Sequence, residues 1–273
     1  MKILLAYFSA TGNTAKVAKA IGSKLSKLGH EVREWDITTP DERGTGLNLD
    51  SYQAFVFGFP SHSSRAPRLA REWLETLEGG GRKCATFFTF GGFGIDPCHS
   101  TTKQILDRRG FKLAASAQFL GVHTFNLAGW RAMAGRPDET DFEVAEEFAS
   151  VSHRRFTGQD PALIGPLKEP GLSEEKLDEM EGGRYKLVSQ LPTREGRECS
   201  LCGICEEICP SGAMDAERGE ADKTKCIVCL SCLANCPEEA LKINDLSPSW
   251  LAMLERTKLS PEELSLKKSK IIL

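Results

Sequence analysis

Eight of the ten cysteines crowd into residues 199–236, spaced as two copies of one pattern. Cys199, Cys202, Cys205 and Cys209-Pro210 spell C-x2-C-x2-C-x3-C-P, and Cys226, Cys229, Cys232 and Cys236-Pro237 spell it again 27 residues later. The same shift carries Ala213 onto Ala240 and Met214 onto Leu241, so the segment is an internal duplication. Thiols at this density point to metal or redox chemistry. Three cysteines two apart on a tight loop reach three corners of one 4Fe–4S cubane, while the fourth, followed by proline, points away to a second cluster. Two zinc sites are the rival reading. Zinc needs four ligands per site and gives no reason for a run of three cysteines, the Cys-Pro endings or the duplication.

A second candidate lies near the N-terminus, where Ser9-Ala10-Thr11-Gly12-Asn13-Thr14 separates an apolar run from a helical pattern. Small hydroxyl residues and a glycine let backbone N–H and side-chain O–H groups converge on one anion, and the helix dipole adds partial positive charge. The loop has neither the G-x-x-x-x-G-K nor the G-x-G-x-x-G spacing. Its plain alternative is an N-capped helix start. Cys84 lies in a strand run and reads as core. Cys98 falls near the start of a helix, where the dipole lowers a thiol pKa, although a structural role is the plainer reading. His123 ends a strand close to Asn126 and Trp130, and its role stays open.

The elements that position these residues follow from periodicity. Short apolar runs at Lys2–Phe8, Glu31–Ile37, Gln53–Phe59, Lys83–Phe90 and Lys112–Val122 read as strands. Helical patterns fall between or after them, at 13–28 with Gly29 as stop, 67–77, 100–109 closed by Gly110, and 139–150. Five strands separated by helices imply an α/β parallel sheet covered on both faces, with ligands beyond the carboxyl ends of the strands. Residues 1–157 form that domain. Residues 158–195, rich in proline and glycine, form a connecting segment with one short helix at Ser173–Gly183, either packed on a domain or able to move. Residues 196–246 hold the cysteines, and 247–273 read as a helix near Ser249–Arg256 followed by a tail at Lys267–Leu273.

Composition narrows the function classes. The chain is 40% hydrophobic and 27% charged, which argues against wholesale disorder. A net charge of -3 leaves no basic footprint for nucleic acid. No apolar run is long enough to span a membrane. The N-terminal run is too short for a signal-peptide core, so the cytoplasm is the expected location, and cytoplasmic cysteines are not expected in disulfides.

Ser9-x-Thr11-Gly12-x-Thr14 after a first strand resembles the FMN-phosphate loop of flavodoxins. The resemblance covers about residues 1–156. It implies a flavodoxin-like, doubly wound five-stranded sheet of order 2-1-3-4-5, with FMN at the switch point. It also implies two loops around the flavin ring, matched by position: Pro60-Ser61-His62-Ser63-Ser64 and Gly91-Gly92-Phe93-Gly94. The family often stacks Trp or Tyr on the flavin; here the loops offer His62 and Phe93 instead, and short residues that would leave one flavin face open.

The cysteine repeat resembles bacterial two-cluster ferredoxins over about residues 198–244. Carried over, Cys199, Cys202, Cys205 and Cys236 would hold one 4Fe–4S cluster, and Cys226, Cys229, Cys232 and Cys209 the other. A small α+β module follows, each half a short strand, cluster loop, helix and strand, with Ala240–Asp245 as one such strand. Together the two parts resemble flavodoxin–ferredoxin fusion proteins of anaerobic bacteria and archaea. That implies an electron carrier passing single electrons between two clusters, FMN and a partner redox protein. The alternatives are a stand-alone FMN-dependent reductase of a small molecule and a flavin-free regulatory or assembly factor. Residues 197–245 carry ten acidic and five basic side chains, an acidic face suited to a basic partner, though an ordinary solvated surface would look the same.

Overall fold

The computed structural model of the chain describes residues 1–46, 48–183 and 187–273. Strand and helix alternate through the first 157 residues: β1 (Lys2–Tyr7), α1 (Asn13–Lys27), β2 (Glu31–Asp36), α2 (Pro40–Gly44), β3 (Ala54–Pro60), α3 (Arg68–Leu74), β4 (Lys83–Phe90), α4 (Asp96–Arg108), β5 (Lys112–Leu120) and α5 (Glu139–Thr157). Strands β3 and β4 are apolar along nearly their whole length because both of their faces are covered. On one face Ile3, Leu5, Phe87 and Phe119 meet Val17, Ile21 and Leu25 of α1 and Phe148 of α5. On the other, Leu4, Phe55, Phe57 and Phe88 pack with Trp73 of α3 and Leu106 of α4.

Beyond this domain come α6 (Glu174–Gly182), α7 (Ile204–Glu207), β6 (Met214–Asp215), β7 (Glu220–Ala221), α8 (Ser231–Ala234), α9 (Ser247–Thr257), α10 (Pro261–Ser265) and β8 (Lys270–Ile272). The large sheet runs β2-β1-β3-β4-β5-β8, parallel except for β8. The expected five strands are therefore six. The segment read as a tail covers the open edge of β5, pairing Ser116 with Ile272 and Gln118 with Lys270. An unpaired edge strand invites pairing, and the β-branched Ile271 and Ile272 suit the role.

Two helices also exceed their expected bounds. Helix α4 starts at Asp96, four residues earlier, because Asp96 and Pro97 suit a first helical turn. Helix α5 runs on to Thr157 and ends at Gly158, which has φ 82°. The strand expected at Ala240–Asp245 does not form. Lys242 instead exchanges both backbone hydrogen bonds with Thr193 (3.0 and 2.8 Å) as one isolated bridge, so its partner is the connecting segment.

That segment touches the rest of the chain at Ile164, Leu177, Val188 and Thr193, which are buried; residues 184–186 lie outside the described residues. Ser173 caps α6, accepting from the Lys176 N–H at 3.3 Å. The acidic side of α6 grips the α/β domain: Asp178 and Glu181 accept from Arg65 at 2.5 and 3.0 Å, and Glu181 from Arg71 at 2.9 Å. Among the described residues, no helix is long and apolar enough to cross a membrane.

Candidate functional site

At the carboxyl ends of the parallel strands, four loops line one cleft. Ser9, Ala10, Thr11, Asn13 and Thr14 come from the loop after β1. Pro60, Ser61 and His62 come from the end of β3, and Gly91 from the loop after β4. Gly12 caps α1 in the left-handed region (φ 88°), which glycine adopts without steric cost, and it supplies no side-chain cap. The first turn of α1 carries no acidic residue. Ser9 shapes the loop: its N–H donates to Thr38 Oγ1 at 2.7 Å and its hydroxyl accepts from the Ala15 N–H at 3.0 Å. Ser9 thus meets the Ala15 N–H, while Gly12 offers no side chain to the N–H groups of Asn13 and Thr14, a geometry that fits an anion.

The second loop is a tight turn. His62 and Arg65 exchange backbone hydrogen bonds of 2.7 and 3.1 Å, and Ser63 and Ser64 between them both have positive φ, 49° and 67°. Left-handed backbone costs a residue with a side chain about 1–2 kcal/mol, so the turn is held by its surroundings. The α6 acids fix Arg65, and the Ser64 hydroxyl donates to Gly94 O at 3.1 Å, tying the second loop to the third. His62 is buried at the cleft wall.

The third loop is arranged differently from its sequence reading. Of Gly91-Gly92-Phe93-Gly94, Gly91 lines the cleft. Phe93 turns into an aromatic cluster, edge-on to Trp130 at 5.8 Å and to Trp250 of α9 at 6.2 Å. Its partners come from the loop after β5 and from the C-terminal region, so helical and strand periodicity carried no sign of them. Lys267 Nζ donates to Gly92 O at 2.5 Å, which holds the loop from the C-terminal side. His123 stacks on Trp130 at 4.6 Å and reaches the cleft over Gly91, where any Cβ would stand 2.4 Å from the imidazole.

The sequence reading did not single out Thr89, Phe90, Gly121, Val122 and Thr124 as cleft residues. Their signal was position, since all lie at the ends of β4 and β5, where the strand-end rule puts ligands. Asn13 Nδ2 donates to Val122 O at 3.0 Å, and the Thr14 and Thr89 hydroxyls pair at 2.8 Å, so these residues brace the first loop. Cys98 does fall at the start of a helix, and its burial agrees with the plainer, structural reading. It is buried in the first turn of α4, and burial pushes its thiol up to about 12, despite a hydrogen bond with Ser61 and the charges of Arg71 and Arg65. Cys84 is core, and burial pushes its thiol up as well.

In the cysteine segment, Cys199, Cys202, Cys205 and Cys236 stand around one cavity with Leu201, Pro237 and Leu241. Cys209, Cys226, Cys229 and Cys232 are all buried, and the Cys232 thiol is pushed up by burial and by the nearby Cys229, Cys226 and Cys209. The first set is more open, with Cys202 exposed and the other three half-buried. No disulfide joins any of the ten cysteines. Among the described residues, no group of three or more His, Cys, Asp or Glu side chains is placed to hold a metal ion.

The duplication is visible in the backbone. The Leu201 N–H donates to Cys199 Sγ at 3.4 Å and the Val228 N–H to Cys226 Sγ at 3.4 Å. The Ala213 N–H donates to Cys209 Sγ at 3.2 Å and the Ala240 N–H to Cys236 Sγ at 3.3 Å. Left-handed residues recur at the same offset: Leu201 with Val228, Gly203 with Leu230, and Gly212 with Glu239. Each loop thus turns backbone N–H groups inward onto sulfur.

Comparison with known proteins addresses the α/β domain. Residues 4–126 match the family model described as the flavodoxin domain. A "putative diflavin flavoprotein A 5" from Nostoc sp. (strain PCC 7120) is 28% identical over 149 residues, 54% of this chain and 24% of that protein. The chain thus spans about a quarter of that curated relative. Among solved structures, a flavodoxin from the domain Archaea (16% identity, 56% of this chain, 98% of that one, TM-score 0.42) is similar. So are an oxidised Flavodoxin 2 from Bacillus cereus (22%, 58% and 99%, TM-score 0.42) and a flavodiiron core of Flv1 from Synechocystis sp. PCC6803 (19%, 59% and 37%, TM-score 0.44). The first part of the chain is a flavodoxin-like α/β domain with a mostly parallel sheet.

Proposed function

We propose that the chain is an electron-transfer iron–sulfur flavoprotein of the cytoplasm, passing single electrons between two 4Fe–4S clusters and FMN as carrier to or from a partner redox protein. When bound, FMN takes up one or two electrons and each cluster one. The observation that carries the reading is the pairing of the cysteines in space. Cys236 of the second repeat stands with Cys199, Cys202 and Cys205 of the first, and Cys209 of the first stands near Cys226, Cys229 and Cys232 of the second. A two-cluster ferredoxin needs this exchange of the fourth ligand. The four cysteines of the open set line one cavity, and a cubane takes four thiolates from such a surround.

On the flavin side, the start of α1 behind Gly12 would hold the phosphate, and the His62 turn, Gly91 and His123 would flank the ring. The buried turn at 62–65 and the brace from Lys267 fix the loops before any ligand arrives, so little ordering cost falls on binding. Exposed Cys202 shares its cavity with exposed Glu238, and the exposed acids Glu206, Glu207 and Glu239 belong to the same segment, so a partner meets an acidic approach. Such a face steers a basic partner and orients it.

Anaerobic purification followed by iron, sulfide and flavin analysis tests the reading. About eight irons and one FMN per chain are expected. Two zincs and no flavin would overturn it.

A further inference from the structure

Where the two parts of the chain meet, one side chain holds both. Arg43 of α2 donates from Nη1 to Ile37 O at 3.0 Å and to Thr38 O at 2.5 Å. From Nη2 it donates to Pro210 O at 2.5 Å, the carbonyl next to Cys209 of the buried set. Pro210 is itself buried, and Cys209 and Gly212 line a cavity with Asp36, Thr39 and Pro40 from the end of β2. The network does not stop at Arg43. Thr38, whose carbonyl Arg43 holds, accepts the Ser9 N–H on its hydroxyl at 2.7 Å, and Ser9 opens the candidate phosphate loop. Asp36 holds the same Thr38 through its backbone N–H, at 2.9 Å, and its hydroxyl. An unbroken chain of hydrogen bonds therefore leads from the turn after Cys209, through a guanidinium that spans three carbonyls, to the loop at the head of α1.

From this geometry we infer that Arg43 is a positioning residue that couples occupancy of the phosphate loop to the state of the buried cysteine set. The inference rests on the reading above that the loop takes FMN and the cysteines take clusters. The physical reason is linkage. A ligand that orders Ser9 and Thr38 orders the carbonyls that fix the guanidinium, and the guanidinium fixes the Cys209–Pro210 turn; the effect must run equally in reverse. A planar fork is needed to span three acceptors, and lysine would satisfy fewer of them.

The test titrates FMN, and in parallel riboflavin, into the full chain reconstituted anaerobically and freed of flavin, reading flavin fluorescence. Both Arg43→Gln and Cys209→Ser are expected to weaken FMN at least five-fold, and the double variant no more than the weaker single. Riboflavin, which has no phosphate, should shift by less than two-fold in every variant, a distinction that general loosening of the fold would not make. Additive losses, an unchanged FMN affinity in Arg43→Gln, or equal losses for riboflavin would overturn the coupling while leaving the proposed function standing. A wild-type chain that takes up no FMN overturns both. Should Cys209→Ser not fold, amide exchange decides: added FMN should slow exchange at residues 209–214 in the wild-type chain but not in Arg43→Gln. Equal slowing in both, or none in either, refutes the coupling.

Discussion

The two parts of the chain are held by different forces. In the α/β domain, Phe8, Phe55, Phe57, Phe59, Phe87, Phe88, Phe119 and Phe148 are fully buried, and each such ring removes a large apolar surface from water. The cysteine part buries Cys209, Ala213, Met214, Cys226, Val228, Cys229, Leu230, Cys232, Ala240 and Leu241, with no aromatic ring among them. Its regular structure is two four-residue helices and two two-residue strands. It also carries non-glycine residues in the left-handed region at Leu201, Val228, Leu230 and Glu239. One part folds by filling its interior with hydrocarbon. The other wraps strained turns around sulfur, and in small modules of that kind metal ligation supplies the missing stability.

Removing iron should therefore separate the two most sharply. Anaerobic chelation is expected to abolish amide protection across residues 196–246 while β1, β3 and β4 keep theirs, read by hydrogen exchange with mass spectrometry. If the strands lost protection together with the cysteine segment, the two parts would be one cooperative unit and the contrast would fail.

The same contrast governs what could be read from sequence. The strands and α1 were legible because burial on one or two faces imposes a period, and β4 matches its sequence bounds at Lys83–Phe90. The cysteine repeat was legible from its spacing, and the structure repeats it in the N–H contacts to sulfur and the left-handed residues 27 positions apart. What escaped was long-range. Nothing in Lys270–Ile272 says it will cover β5, and nothing in Phe93 says that Trp130 and Trp250 will draw it from the cleft. At Cys98 the local dipole argument lost to burial, which raises the thiol and agrees with the plainer structural reading. The connecting helix was visible from Ser173 and the glycine stop, but its grip on Arg65 depends on residues more than a hundred positions away.

Within the α/β domain the largest single effect should come from Asp141. It is fully buried in α5 and accepts two 2.5 Å hydrogen bonds from Arg136, one from the Asp138 N–H at 2.9 Å and one from the Ser269 hydroxyl just before β8. Breaking a buried pair leaves a charge without its counter-ion, so Asp141→Asn should cost about 3–5 kcal/mol in denaturant unfolding. The loss should appear in the α/β transition and leave the absorbance of the proposed clusters in the folded chain unchanged. A smaller effect depends on pH. His99 is buried against Ser116, 2.7 Å from Nδ1 to the hydroxyl, and burial lowers its pKa from 6.5 to about 4. The unfolded chain then binds the proton first as pH falls. The stabilisation is complete above about pH 6.5 and is lost progressively towards pH 4, by roughly 2–3 kcal/mol at the acid end. His99→Gln should flatten that part of the stability–pH curve relative to wild type; an unchanged slope would show that other groups set it.

The smallest effect decides to which part the connecting helix belongs. Ser173→Ala removes the cap of α6, worth about 1 kcal/mol, so local opening of residues 174–182 should rise about five-fold in amide exchange. The helix should not detach, because its main hold is tertiary: Arg65, whose side chain is 6% exposed, keeps Asp178 and Glu181, and Arg71 keeps Glu181. These contacts all run to the loop after β3 and to α3, and none of them to the cysteine segment. Helix α6 should thus stay protected when iron is removed, in step with β3. Loss of its protection together with residues 196–246 would assign it to the metal-dependent part, and the Arg65 turn beside the cleft would then answer to the clusters.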